Sequence, residues 1–314
     1  MTAQNRCGLL PDMSFSAKRM KRLLLLLAAL CMAMPVLRAA DAVPVYNTEE
    51  EISEDPAILK QAGALFSSGQ ALSVADVREQ LRRTHCQLKL PAAKSHVLGG
   101  REVWAAARSG FLRIGYYYFC ADCKKWHLDL SGGFLLTEDG VAATACHVIE
   151  PDQDLPKGCL VAVTDDGTVC PVKEVLAASK DSDVCILRVE LPAKGLPLAL
   201  SEDAQPGDQV YCFSDPMGER SFFSTGIVNR RTTMKSGKAS PLLLDVSAEW
   251  APGSSGAAVL DNKGNAVGVV STILALQDDE EEHAKKEKPS GATWMVVHEA
   301  VSVHEIRALI QAAD

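Results

Sequence analysis

Beyond residue 100, short runs of β-branched and aromatic residues alternate with turn sequences, and this alternation restricts the fold more than any other feature. Turns such as Glu138-Asp139-Gly140 and Asp165-Asp166-Gly167 separate the runs, and no helical pattern intervenes between most of them. Many short strands at close spacing predict an antiparallel barrel or sandwich. The runs lie at residues 111–119, 133–136, 160–164, 184–189, 209–213, 242–246, 257–260, 266–271 and 293–297.

The first 42 residues have the pattern of a secretory signal. Basic residues at positions 18, 19, 21 and 22 precede a wholly apolar run at 23–34, which is short for a membrane span. Ala40-Asp41-Ala42 supplies small residues for a cleavage site ahead of Val43. We therefore predict a signal peptide over 1–42, a periplasmic or extracellular mature chain, and no stable membrane span after cleavage. An uncleaved anchor helix is the alternative.

Helical patterns occupy the two ends of the remaining chain. Asp55 before Pro56 and Ser73 before Val74 are capping signals, so residues 43–100 are predicted to form a helical extension and linker. Ser302 and Glu305 predict a capping box for a C-terminal helix. Residues 101–314 then form the β domain, with a solvated charged loop at 278–288.

The overall charge excludes some partners. The net charge is −8, and no basic stripe occurs beyond the first forty residues. Binding to nucleic acid requires such a stripe, so nucleic acid is not expected as a partner. The sequence also lacks a nucleotide-binding glycine fingerprint, and no cofactor is expected.

Three local patterns carry possible chemistry. His147 follows small residues after a strand-and-turn pattern, and Asp183 begins an apolar strand. Ser255 lies between Ser254 and Gly256 in a Gly-Ser-Ser-Gly turn, which suits an exposed nucleophile. Each has an ordinary structural explanation alone. Together they follow the order His, Asp, Ser, which is one of the known orders of catalytic triads.

These segments resemble the trypsin-like serine peptidases, especially the bacterial HtrA/Deg-like branch. The similar blocks are 131–148, 183–187, 251–256 and 264–269, and the resemblance covers about residues 110–314. It implies an all-β double antiparallel barrel with the active site between the barrels. His147 would be the general base, Asp183 its orienting carboxylate and Ser255 the nucleophile.

The resemblance also implies an oxyanion hole and a substrate pocket. The backbone N–H groups of Gly253 and Ser255 would form the oxyanion hole. Residues just before the turn would form the pocket, where Glu249 would favour Lys or Arg, and Trp250 would favour small side chains. The sequence leaves both options open. No PDZ domain is expected after the barrels, and Ala257-Ala258 departs from the family's usual Gly-Pro.

Eight cysteines follow the predicted signal peptide, and an even number in an exported chain predicts disulfides. Cys146 and Cys185 replace family alanines beside the triad, and the implied fold predicts a disulfide between them. Two buried free thiols are the alternative. Cys120 and Cys123 form a C-x-x-C pair. We interpret this pair as a disulfide within a hairpin or as a metal knuckle with His127, in preference to a redox pair. No residue is assigned as a metal ligand.

The prediction is an exported serine endopeptidase that hydrolyses protein or peptide substrates through an acyl-enzyme. Two other functions stay open. One is a catalytically inactive trypsin-like fold that acts as a binding module. The other is a secreted redox or metal-binding protein whose chemistry resides in its cysteines.

Overall fold

Strands dominate the part of the chain that the computed structural model describes, residues 44–47, 51–151, 155, 157–277 and 293–311. The helices are α1 (Pro56–Ser68), α2 (Val74–Gln80), α3 (Gly100–Gly110), the single turn α4 (Cys146–Ile149) and α5 (Val303–Ala308). The strands are β1 (Cys86–Gln87), β2 (Phe111–Phe119), β3 (Trp126–Leu135), β4 (Val141–Thr144), β5 (Gly158–Val163), β6 (Val169–Ser179), β7 (Val184–Val189), β8 (Gln209–Ser214), β9 (Phe222–Thr233), β10 (Leu242–Val246), β11 (Ala258–Asp261), β12 (Ala266–Gln277), β13 (Thr293–Ser302) and β14 (Ile310–Gln311).

Some predictions lie outside these residues. The signal peptide at 1–42, the start at Val43 and the charged loop at 278–288 are among them. Within the described ranges, no helix is both long enough and apolar enough to cross a membrane.

The strands form two closed antiparallel barrels of six strands each. The first has the order β2-β3-β4-β7-β6-β5 and the second the order β8-β9-β10-β13-β12-β11. Closure leaves no free strand edge in either barrel. The all-β double barrel predicted from the resemblance is therefore confirmed.

Strand β2 shows why the strand runs are almost continuously apolar. Leu112 and Ile114 belong to the core of the first barrel. Phe111 instead belongs to the core that continues into the second barrel, and Tyr117 packs in a cluster with residues of α1. Since both faces of the strand are covered, both sets of alternating side chains are apolar, except for the buried Arg113, which is paired with Asp215.

The helical extension packs on the first barrel. The Asp55 side chain accepts hydrogen bonds from the first turn of α1, and Ser73 accepts one from the Asp76 N–H in α2, as their positions predict. Val77 of α2 is completely buried with the first-barrel core. Strand β1 pairs in parallel with β14, which links the extension to the chain end.

Two details differ from the sequence predictions. Helix α3 was not predicted, because its residues were assigned to the linker and the β domain; Val103 and Ala107 bury one face of it. Ser302 caps α5 as predicted, but the capping box is wrong. The Glu305 carboxylate instead accepts hydrogen bonds from the Ser182 hydroxyl, in the turn between β6 and β7, and from the Leu242 N–H at the start of β10.

Candidate active site

His147 and Asp183 come from neighbouring loops of the first barrel and are hydrogen bonded. His147 lies in α4, directly after β4, and its side chain is half exposed. Its Nδ1 is 2.8 Å from Asp183 Oδ2, and its backbone N–H donates to Oδ1 over 2.9 Å. The carboxylate thus fixes both the ring and the backbone of the histidine.

Asp183 is held in an unusual backbone conformation. Its φ is +52°, a left-handed value that aspartate tolerates better than most residues. From the second barrel, Ser271 Oγ on β12 donates to Asp183 Oδ2 over 2.7 Å. The carboxylate therefore receives donors from both barrels.

The protonation of this pair follows from these contacts. The hydrogen bond from Asp183 raises the pKa of His147 above its ordinary value of 6.5, although burial opposes this. Burial raises the pKa of Asp183, but the hydrogen bonds from His147 and Ser271 outweigh it and keep that pKa below the ordinary 3.8. The carboxylate is therefore charged and stabilises a positive charge on the imidazole.

The turn from Gly253 to Gly256 separates two adjacent serines. Gly253 and Gly256 have φ values of +94° and +85°, which L side chains rarely adopt. Ser254 is fully buried, and its Oγ accepts a hydrogen bond from Ser214 Oγ over 2.9 Å. Ser255 is only partly buried. Of the two serines, Ser255 is thus the one available to react with a substrate.

This turn packs tightly against the first barrel. The Gly132 N–H donates to Ser255 O over 2.7 Å. A Cβ on Gly256 would lie 2.2 Å from Thr144 Oγ1 and 2.9 Å from the Ala145 backbone N. The turn therefore contacts the end of β4, just ahead of His147, and only glycine allows this approach.

The backbone N–H groups of the turn differ in their partners. Ser254 N–H donates to Ala251 O. Among the described residues, the N–H groups of Gly253 and Ser255 donate to no protein acceptor. These two N–H groups, one on each side of Ser254, are available as donors to a substrate oxygen that becomes negatively charged.

The two candidate pocket residues have opposite environments. Trp250 is buried, packs edge-on against His298, and donates from Nε1 to Thr272 O over 3.4 Å. Glu249 is exposed, and its backbone carbonyl accepts from Ser224 Oγ. The indole thus occupies interior space beside β12, and the carboxylate faces solvent.

Two cavities flank the turn and the histidine. One is lined by His147, Tyr116, Tyr118 and Asp129. The other is lined by Gly253 and by a buried ion pair between Arg113 and Asp215. Sequence reasoning missed Tyr116, Tyr118 and Asp129 of the first cavity, Arg113 and Asp215 of the second, and Ser271. The one available signal for Ser271 was the Ser271-Thr272 pair of hydroxyl residues, which interrupts a mainly apolar strand β12.

The expected disulfide beside the histidine is not formed. All eight cysteines in the described part of the chain are free thiols, and Cys146 and Cys185 are both buried. Burial, with the nearby charge of Asp183, raises the pKa of Cys146 to about 12. The alternative of two buried thiols is therefore the one observed, and Cys146 stays protonated rather than acting as a nucleophile.

Comparison with known proteins gives one family. The family described as "Trypsin-like peptidase domain" matches residues 131–269, a range that holds all three candidate catalytic residues. The double barrel is therefore similar to a trypsin-like peptidase domain.

Individual relatives agree with this assignment. "Protease Do-like 1, chloroplastic" of Arabidopsis thaliana is 28% identical over 150 residues, 46% of this chain and 33% of the relative. "Putative serine protease HhoB" of Synechocystis is 30% identical over 151 residues, covering 46% and 34%. "Probable periplasmic serine endoprotease DegP-like" of Halomonas elongata is 30% identical over 150 residues, covering 46% and 30%. The matched part spans about a third of each relative.

A solved structure shares the fold of the peptidase domain. It is described as "HtrA-type protease AlgW with decapeptide", and its TM-score to this chain is 0.50. The alignment covers 68% of this chain and 66% of that one, at 15% sequence identity. At this identity the likeness concerns the fold, and the double barrel is what the two chains share.

Proposed function

We propose that this chain is an exported serine endopeptidase in which His147, Asp183 and Ser255 form the catalytic triad. The observation that carries the proposal is the His147–Asp183 hydrogen bond beside a glycine turn that leaves Ser255 accessible. A charged carboxylate on Nδ1 leaves Nε2 as the acceptor for a serine proton, which is the arrangement that acyl transfer requires.

In the proposed reaction, Ser255 Oγ attacks the carbonyl carbon of the scissile peptide bond, and His147 takes its proton. The carbonyl oxygen becomes an oxyanion and is bound by the N–H groups of Gly253 and Ser255. His147 then gives the proton to the leaving amine, and water hydrolyses the acyl-enzyme. Asp183 holds the imidazole tautomer and stabilises the imidazolium throughout.

Peptides are the proposed substrates. The AlgW structure is described as "with decapeptide", and the curated relatives are named as proteases. The cavities beside His147 and Gly253 could receive substrate side chains on either side of the cleaved bond. Because the Trp250 ring is buried at the expected pocket, we propose that the residue before that bond is small. Profiling cleavage sites on a denatured proteome tests this preference.

Export is part of the proposal. The signal-like sequence at residues 1–42 supports it, and a relative from Halomonas elongata is named as periplasmic. Sequencing the N-terminus of the chain recovered from periplasm or medium measures the cleavage point. Recovery of the chain from the cytoplasm, with residues 1–42 intact, would contradict export.

The decisive experiment compares the two adjacent serines. Ser255→Ala should reduce kcat by roughly 10⁴- to 10⁶-fold, since only binding and oxyanion contacts would remain. Ser254→Ala is the matched control: it removes a buried hydrogen bond to Ser214, which costs about 1 kcal/mol of stability, and leaves the nucleophile. A fluorophosphonate probe should label the wild type and Ser254→Ala, but not Ser255→Ala.

The same probe separates the other two functions. A folded wild-type chain that neither cleaves peptides nor reacts with the probe would be a binding module. Dithiol turnover that is unaffected by Ser255→Ala would point to chemistry at the cysteines instead.

A further inference from the structure

The tip of the β2–β3 hairpin brings three metal-binding side chains together, away from the triad. Cys120 and Cys123 lie in the turn between the strands, and His127 is the second residue of β3. Their ligand atoms all lie within 4.8 Å of one another. Cys123 Sγ is 2.9 Å from His127 Nε2.

The backbone of the turn presents both sulfurs to the same place. The Cys120 N–H donates to Lys125 O over 2.8 Å, and the Lys124 N–H donates back to Cys120 O over 3.1 Å. Lys124 has a φ of +58°, a left-handed value that closes the turn directly after the second cysteine. Both bonds hold the turn without any contribution from the side chains of the cysteines.

The histidine is fixed by the neighbouring strand. His127 pairs with Tyr118 in the β2–β3 register, and their rings lie 5.8 Å apart. The three donors are thus held on a formed hairpin, so binding an ion needs little reorganisation of the backbone.

We propose that Cys120, Cys123 and His127 bind one Zn²⁺ ion. Two thiolates and one imidazole are ligands that zinc prefers, and tetrahedral Zn–S and Zn–N bonds place such atoms about 3.6 to 3.8 Å apart. The observed spacing therefore needs side-chain shifts of about 1 Å or less. Binding releases the two thiol protons, and the two negative charges balance the ion.

The fourth ligand of this ion is a water molecule. Among the described residues, no other His, Cys, Asp or Glu joins the group of three. Cys123 is exposed, so solvent reaches the open position.

The geometry favours a metal over the two other uses of a C-x-x-C pair. A thioredoxin-type redox pair opens a helix in a βαβ unit, whereas this pair lies in a turn between antiparallel strands. A Cys120–Cys123 disulfide would use neither His127 nor the contact between its Nε2 and Cys123 Sγ. Only a metal ion engages all three side chains.

The zinc site would also stabilise one wall of the cavity beside His147. Tyr118 lies two residues before Cys120, and Asp129 lies two residues after His127; both line the cavity that contains His147. Zinc at the tip would hold the ends of β2 and β3 together and so fix this wall. Metal binding itself does not depend on the proposed peptidase activity, and the test below measures the metal directly.

The test uses the full chain, purified under reducing conditions and stripped with a chelator. Titration with Zn²⁺ against a chromophoric chelator should give one equivalent per chain, and Co²⁺ should give thiolate charge-transfer bands with intense tetrahedral d–d bands. Cys120→Ser, Cys123→Ser and His127→Ala should each lower Zn²⁺ affinity by about 100-fold or more. Cys86→Ser and His96→Ala, which remove a cysteine and an exposed histidine outside the group, should leave the affinity unchanged.

A second measurement on the wild-type chain does not depend on the variants folding. Zn²⁺ should slow alkylation of Cys120 and Cys123 and leave that of Cys86 unchanged. Failure of the reduced chain to bind a stoichiometric ion would overturn the proposal. So would unchanged binding in the Cys120→Ser/Cys123→Ser double variant, or a Cys120–Cys123 disulfide with no zinc in the exported protein.

Discussion

The two barrels have the same strand order but make different contributions to the candidate active site. If the strands of each barrel are numbered one to six, both close in the order 1-2-3-6-5-4. The first barrel provides His147 and Asp183, which are hydrogen bonded to each other. The second provides the turn with Ser255, together with Ser271. One topology thus positions the candidate acid–base pair in the first barrel and the candidate nucleophile in the second.

This difference implies that the His147–Asp183 pair and the turn with Ser255 are sensitive to different substitutions. The His147–Asp183 pair is formed within a single barrel, so it depends on local loops. The position of Ser255 relative to His147 depends on contacts between barrels, such as the hydrogen bond from Gly132 to Ser255 and the approach of Gly256 to Thr144. Substitutions in each set should therefore break activity in distinguishable ways.

The largest effect is expected from breaking the pair within the first barrel. Asp183→Asn should lower kcat by about 10⁴-fold, because the amide no longer holds the reactive tautomer of His147 or stabilises its charge. Folding stability should change little by comparison. Peptide cleavage kinetics and urea denaturation measure the two quantities.

Asp181→Asn is the matched control for this prediction. Asp181 lies two residues away, and its carboxylate accepts from the Lys238 N–H rather than from His147. Activity should stay within a few-fold of the wild type. An Asp183→Asn variant as active as Asp181→Asn would exclude Asp183 from the triad.

A contact between barrels provides the second prediction. In Gly256→Ala the new Cβ would lie 2.2 Å from Thr144 Oγ1 and 2.3 Å from Gly132 O, in a backbone at φ +85°. Strain and overpacking together should cost about 2 to 6 kcal/mol of unfolding free energy, with loss of activity. Urea denaturation curves measure the cost.

Gly207→Ala separates strain from packing. Gly207 has a similar φ of +96°, but a Cβ there meets nothing within 4 Å. It should cost only the backbone strain, about 1 to 2 kcal/mol, and activity should be retained. Equal losses in the two variants would mean that the contact between barrels contributes nothing beyond the turn conformation.

The third prediction concerns pH and returns to the first barrel. The proposed reaction needs neutral His147 as the base, and the hydrogen bond to Asp183 raises the pKa of this residue above 6.5. The value of kcat/KM should therefore fall tenfold per pH unit below an inflection that lies above 6.5. In Asp183→Asn the inflection should move down, because burial alone lowers the pKa of His147. An inflection below 6.5 in the wild type would contradict the assigned base.

The sequence predicts those parts of the molecule that depend on neighbours along the chain. The caps at Asp55, Ser73 and Ser302 were predictable because each side chain bonds within its own first helical turn. The strand runs were predictable because burial on one or both faces dictates their residue types. The capping role predicted for Glu305 was wrong because its hydrogen-bond partners, Leu242 and Ser182, are 63 and 123 residues away along the chain.

The residues of the candidate site follow the same rule: those with a pattern in the neighbouring sequence could be predicted, and those that depend on distant contacts could not. His147, Asp183 and the turn that begins at Gly253 each have a local sequence pattern. Their order along the chain indicates a catalytic triad when the three are considered together. The Cys146–Cys185 disulfide was not found because proximity of two segments does not set the direction of their side chains. Ser271 has only a weak local signal, a hydroxyl in a mainly apolar strand, and its contact with Asp183 spans 88 residues.

The smallest expected effect is at Ser271, the residue that joins the acid–base pair to the second barrel. Ser271→Ala removes one of the hydrogen bonds to Asp183 and leaves those from His147 intact. Loss of a single hydrogen bond costs about 1 kcal/mol, which corresponds to about a fivefold decrease in kcat/KM. Since the Ser271 hydroxyl also draws negative charge away from the carboxylate, its loss should strengthen the stabilisation of protonated His147 and shift the pH inflection slightly upward.

Two further variants distinguish this positioning role from simple packing. Ser271→Thr retains the hydroxyl and should restore most of the activity and the pH inflection. Thr272→Val removes the adjacent hydroxyl, which contacts Ser271 rather than Asp183, and should leave both unchanged. A Ser271→Ala variant with the wild-type rate and inflection would mean that the first barrel orients His147 unaided. A decrease as large as that of Asp183→Asn would instead mean that the acid–base pair forms only when both barrels hold the carboxylate.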